Sequence, residues 1–223
     1  TNNYVGAQTL APDWMQSTAT GAPVPNPDQV LIKFENIVGT GAGQVPPGST
    51  IHAAVLDLVS INMHAQGNGG QFHAMLTPWV GTDSWNTFVN GISADGIEAA
   101  LTPTATLPVQ GWPSGGDVQP TKYAVELTSD VQAWVSGSMA NNGWAILPWP
   151  DGNNGWAFNS ADNTVVESRP TLRVYFEPGV VLGAPVYSGT TLQIPFTGVG
   201  GRTYTVQRRA DLATGSWANI GTV

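Results

Sequence analysis

Val30, Ile32 and Phe34 alternate with Leu31, Lys33 and Glu35, which predicts a strand with one buried face. The segment GTGAGQVPPGST then interrupts the pattern with four glycines and two prolines. From Ile51 to Val59 the alternation resumes, with Ala54, Leu56 and Leu58 on one side and Ile51, Ala53, Val55 and Val59 on the other. Both sides are apolar, so this strand is expected to lie between two covered faces. Ile61–His64 and Phe72–Trp79, separated by AQGNGG, predict a hairpin, because glycine and asparagine tolerate the positive φ of a tight turn. Between Gly81 and Gln119 periodicity is lost among polar residues, prolines and glycines, and a long surface excursion is expected.

Tyr123, Val125 and Leu127 alternate again, and then the period lengthens. Val131, Trp134 and Val135 share the i, i+3, i+4 face of a short helix that Thr128 or Ser129 can cap and Gly137 can end. Trp144–Leu147, Trp156–Phe158 and Leu172–Phe176 supply three further strands, each bounded by proline, glycine or asparagine. The pattern predicts an all-β fold: a jelly-roll-like antiparallel β-sandwich with one short helix, over residues 30–178. Residues 1–29 lack such a pattern and are expected to form an extended N-terminal arm, suited to donation as a strand to another copy.

After Glu177-Pro178-Gly179 the texture changes, and residues 179–223 are expected to form a separate, partial β module. Closing two sheets of this type takes about 80–100 residues; 45 follow Pro178. Half a domain exposes unpaired strand edges, which native proteins pair or cover, so completion by a neighbouring copy is expected. A trimmed chain is the competing explanation.

Composition narrows the function classes. With 27 glycines, 17 prolines and 10% charged residues, the 223-residue chain suits turns and short strands. It has no cysteine, so neither disulfides nor thiolate metal sites staple it. No apolar run reaches the roughly 18 residues of a membrane span. The chain starts at Thr1 rather than Met, which fits a processed, exported product. Its net charge of -8, with seven scattered cations, excludes nucleic acid as a partner. Residues 1–177 carry -10 and residues 178–223 carry +2, a division that permits head-to-tail attraction between copies.

The candidate chemistry is sparse. His52, His64 and His73 are spaced by 12 and 9 residues, matching no helical ligand pair. His52 is in phase with Ala54, Leu56 and Leu58, which reads as a hydrogen-bonded structural histidine. Ser138, in SGSM, lacks the second glycine of a nucleophile elbow. The carboxylate pairs Asp95/Glu98 and Asp151/Asp162 suit a glycosidase only if folding sets them at the right separation, and solvated surface groups are the simpler reading. Asp151-Gly152-Asn153-Asn154-Gly155 puts hard oxygens on a glycine-rich turn, so Asp151, Asn153 and Asp162 form a calcium candidate, against which stands an ordinary Asn-Gly turn. No cofactor is otherwise required. Of nine tryptophans, Trp134, Trp144 and Trp156 fall on periodic positions and read as core, whereas Trp85, Trp112 and Trp149 sit in or beside loops and are candidates for stacking on sugar rings.

The blocks WNTFVNGI, YAVELTSDVQAWV, NNGWAILPW, GWAF and RPTLRVYF, in this order between Trp85 and Phe176, resemble the second half of a secreted β-sandwich module of the DNRLRE type. SGTTLQIPFTG, RTYTVQRRADL and GSWANIG resemble the opening half of a small fibronectin-like β module that often follows it. The N-terminal segment TNNYVGAQTLAPDWMQSTATGAPVPNPDQ departs from the family, which usually begins with a clearer strand; only Asn3-Tyr4-Val5-Gly6 resembles it. The resemblance implies a non-catalytic unit of bacterial extracellular or cell-surface proteins. The expectation is therefore a non-enzymatic structural subunit of a filament or surface assembly, joined to other copies of itself by strand exchange. The alternative is a carbohydrate-binding module from a larger polysaccharide-degrading enzyme. Some modules of the family bind acidic glycans, but the low cation count argues against an anionic sugar here.

Overall fold

In the computed structural model, residues 4–12, 28–60, 70–107, 122–148, 157–198, 203–211 and 213–223 are described below. The chain divides into two units, Thr1–Glu177 and Pro178–Val223. Strands of the first unit are β1 (Thr9–Leu10), β2 (Val30–Ile32), β3 (Thr50–Val59), β4 (Gly70–Ala74), β5 (Ala105–Thr106), β6 (Lys122–Glu126), β7 (Trp144–Pro148), β8 (Phe158–Asn159) and β9 (Thr171–Glu177), with the α-helix α1 (Thr128–Ser136) between β6 and β7 and a 3-10 turn at Val166–Ser168. All their ladders are antiparallel: a four-stranded sheet in the order β2-β7-β4-β5, a three-stranded sheet β6-β3-β9, and the short pair β1-β8. The first unit is thus an antiparallel β-sandwich.

Period-two patterning builds the interior. Ala54, Leu56 and Leu58 of β3 meet Phe72 of β4 and Trp144 and Ile146 of β7 in one cluster, with Val131, Trp134 and Val135 of α1 joining it. Each fully buried side chain of this size contributes about 1.5–3 kcal/mol. Trp134 and Trp144 pack with ring centroids 4.6 Å apart, and the Trp144 indole donates to Asp130 Oδ2 at 2.7 Å. The helix forms where its spacing predicts. Gly137 ends it in the left-handed conformation, φ 74°, where a Cβ would strain the backbone. Thr128 does not cap it: its hydroxyl instead accepts the Ala54 amide at 2.8 Å and meets Glu126, tying the helix start to β3.

Three expectations change. A bulge between Ile51 and Ala53 brings Ile51 onto the inward face with Ala54 and turns His52 outward, its side chain 58% exposed and 3.7 Å from Glu177. Among the described residues the buried histidine is His73. The excursion after Gly81 is not wholly superficial: Ile92 and Ala99 are buried with Met75 and Ala145, and Phe88 and Trp79 pack against them. These residues form a second cluster on the far face of the four-stranded sheet, so both its faces are covered. The described part of the N-terminal arm is also a working part of this unit. β1 pairs with β8, Pro12 is buried, and Ser160 donates to the Ala7 carbonyl at 2.5 Å. Leu10 packs on the main core, and apolar burial holds the segment down.

Other boundaries are smaller matters. β4 ends at Ala74, where the chain departs through Met75 and Leu76 instead of continuing to Trp79. The partner arm expected at Ile61–His64, and Trp156, lie outside the described residues.

The second unit contains β10 (Val181–Leu182), β11 (Val186–Ser188), β12 (Thr191–Gln193), β13 (Phe196–Thr197), β14 (Thr205–Arg208) and β15 (Ala218–Thr222). They pair as three separate two-stranded ladders, β10-β13, β11-β12 and β14-β15. None of its described residues is buried.

Candidate functional site

Two surfaces stand out, one on each unit. The first is a cleft of about 240 Å³. Three stretches far apart in sequence build it: Tyr4, Val5 and Leu10; Asp28–Leu31; and Trp79–Ile92. The last stretch is anchored by the second hydrophobic cluster beneath it. Gln29 fastens the second stretch to this last one, donating to the Ile92 carbonyl at 2.9 Å and accepting the Ile92 amide at 2.6 Å. Asp83 closes the turn at the rim by accepting the Val80 amide at 2.8 Å.

Aromatic rings line the walls. Trp79 is fixed by its indole, which donates to the Asn142 carbonyl at 2.7 Å, and by Lys33, whose ammonium lies 5.4 Å from the ring centroid. Trp85 is half-buried, and Gly91 allows it to sit there: a Cβ on Gly91 would come within 2.4 Å of the Trp85 ring, and its φ of +77° already disfavours a side chain. Tyr4, 54% exposed, stands at the mouth. Two residues before Gly91, Val89 adopts φ 64°, a conformation that costs a β-branched residue about 1–3 kcal/mol.

On the opposite sheet, Asp57 is held by two cations from the flanking strands. Arg173 on β9 grips its carboxylate with both prongs, at 2.7 and 2.9 Å, and Lys122 on β6 approaches to 3.0 Å. The Arg173 hydrogen bonds, aided by Lys122, hold the Asp57 carboxyl below the usual carboxylate range, against the opposing effect of burial. Arg173 is correspondingly pushed up, chiefly by Asp57 and then by the Tyr175 hydroxyl. This cluster ties three strands together. The Asp57 side chain is 4% exposed, too enclosed to serve an incoming ligand.

The second surface is that of the C-terminal unit. Leu182, Tyr187, Ile194, Trp217, Ile220 and Val223 are each at least half exposed. Local contacts are few: Phe196 meets Tyr204 edge to face at 5.8 Å, and Arg209 lies 6.0 Å from the Trp217 ring centroid.

The sequence-derived candidates separate accordingly. Trp85 lines the cleft; Trp112 and Trp149 lie outside the described residues. So do Asp151 and Asn153 of the calcium candidate, while Asp162 is exposed in a turn. Among the described residues no three His, Asp or Glu side chains gather to hold a metal ion. Asp95 and Glu98 accept loop amides, from Ile97 at 2.9 Å and Ser93 at 3.1 Å. His73 Nδ1 donates to the Ala100 carbonyl, 2.7 Å away, beneath the same loop.

Sequence reasoning missed Trp79 and Asp57. Asp57 carried a signal: it is the one polar residue in the run Ala53–Val59, and a carboxylate in such a run needs partners. No helix is long and apolar enough to cross a membrane among the described residues. No family model matches the chain, and no curated protein matches it.

Proposed function

We propose that the chain is a non-enzymatic structural subunit of an extracellular filament or surface assembly, in which copies join by β-strand exchange. The observation that carries this reading is the C-terminal unit, which has strands, ladders and large apolar side chains but no buried residue among those described. Two-stranded ladders are marginal in water, and open edges beside exposed apolar side chains are templates for pairing. A strand contributed by a second copy would widen these ladders and cover Leu182, Tyr187 and Ile220. Opposite charges, -10 on residues 1–177 and +2 on residues 178–223, favour the end-to-end encounter of first unit with second.

The DNRLRE-type likeness of the first unit supports the same class, since such modules are non-catalytic parts of bacterial surface proteins. Electron microscopy of the purified chain at neutral pH and moderate salt tests the proposal. Filaments or regular arrays are expected. A chain lacking residues 179–223 should keep a folded first unit and form none. Dispersed monomers from the full chain, or filaments that persist in the truncation, would sink it.

A further inference from the structure

The cleft on the first unit has no part in that assembly scheme, and its lining points to a ligand. Its walls combine ring surface from Tyr4, Trp79 and Trp85 with the carboxylates of Asp28 and Asp83 and the hydroxyl of Ser84. We propose that it is a binding site for a neutral saccharide, taking one or two units of a chain that continues into solvent. Ring C–H bonds of a sugar pack on aromatic faces, and its hydroxyls donate to carboxylates. A carboxylate has about four lone-pair positions, so Asp83 can accept from a sugar while holding the Val80 amide.

Three features select this ligand over others. An anionic glycan would meet Asp28 and Asp83, and the described lining residues include no Lys or Arg to attract it; the nearby Lys33 is engaged by Glu35 at 3.1 Å and by the Trp79 ring. A small organic cation would suit the rings and carboxylates but would leave the Ser84 and Tyr4 hydroxyls as unused donors. An apolar peptide would set apolar atoms against the two carboxylates and shield them from water. The site is also preorganised. Gln29 clamps two of its three segments, Gly91 lets Trp85 lie against the loop, and Val89 is held at positive φ beside them. A loop held in a strained conformation over a packed cluster keeps its shape before a ligand arrives, which is how aromatic platforms avoid an ordering cost on binding.

The test is affinity electrophoresis and calorimetry of the full chain against soluble β-glucan, xylan and galactomannan, with alginate and tetramethylammonium as the anionic and cationic probes. At least one neutral polysaccharide should retard the protein, with an affinity unchanged between low and high salt. Trp85→Ala should weaken binding by more than about tenfold and Tyr4→Ala by about three- to tenfold. Tyr4 is largely exposed, so its variant tests the site even if the Trp85 variant fails to fold. Retardation by no neutral polysaccharide, tighter binding of alginate or tetramethylammonium, or full binding by Tyr4→Ala would overturn the proposal. None of these outcomes depends on whether copies assemble, because the site lies within the first unit.

Discussion

The two units draw on similar residues and treat them in opposite ways. Leu56, Phe72 and Trp144 in the first are fully buried, whereas Leu182, Phe196 and Trp217 in the second stay in contact with water. Strand patterning is present in both. What differs is the number of strands over which each apolar face can be shared: sheets of four and three strands packed together in the first unit, and isolated pairs in the second. Alternation makes a strand possible, but only a second layer turns its apolar face into stability.

Substitutions can break or sharpen that contrast. Trp144→Ala should cost the first unit about 3–5 kcal/mol, because it removes a fully buried ring that packs on Trp134 and leaves Asp130 without its indole donor. Urea denaturation followed by tryptophan fluorescence reads this directly, and a loss below about 1 kcal/mol would mean that the core is not where the burial pattern puts it.

Asp57→Asn should cost about 2 kcal/mol at neutral pH, since hydrogen bonds to charged groups are worth roughly 1.5–3 kcal/mol. The folded-state pKa of Asp57 is lowered, so its contribution is fully present above the ordinary carboxylate pKa and is lost as pH falls through the depressed value. The gap between wild type and variant should therefore be constant near neutrality and begin to close below about pH 4. A gap that widens on acidification would contradict the three-strand clamp.

Gly137→Ala should cost about 1–2 kcal/mol, the penalty for a Cβ in the left-handed conformation, and thermal melting measures it. The smallest effect belongs to the second unit. Tyr187→Ala, at a side chain 75% exposed, should change the stability of the isolated chain by less than about 0.5 kcal/mol. Assembly should suffer nonetheless, because that ring is surface a second copy would cover. If Tyr187→Ala destabilises the isolated chain as strongly as Trp144→Ala, the contrast between the units collapses.

Much of this was legible in the sequence wherever neighbours in the chain decide the outcome. The helix announced itself through Val131, Trp134, Val135 and the glycine at 137, all within a few turns of one another. β3 and β9 were equally plain from alternation. The bulge at His52 was not, because nothing local distinguishes a residue in register from one squeezed out of it; only pairing with Phe176 and Tyr175 reveals the slip. The cleft was half legible. Trp85 drew notice as a loop tryptophan, yet its partners Tyr4 and Trp79 come from segments that only the folded sheet brings together. Asp57 and its cations sit diagonally across neighbouring strands, 65 positions apart for Lys122 and 116 for Arg173, and no spacing rule spans that distance.

All four cations of the first unit already have partners: Lys33 lies beside Glu35, Lys122 and Arg173 hold Asp57, and Arg169 donates to the Asn163 carbonyl at 2.8 Å. To an approaching copy, the remaining surface presents acidic groups with little to offset them. First units that meet one another repel, and attraction is confined to encounters with the cationic second unit. In the assembly proposed above, the shortage of positive charge would act on dimensionality, favouring growth in a line over lateral sheets, with added salt relaxing both tendencies together.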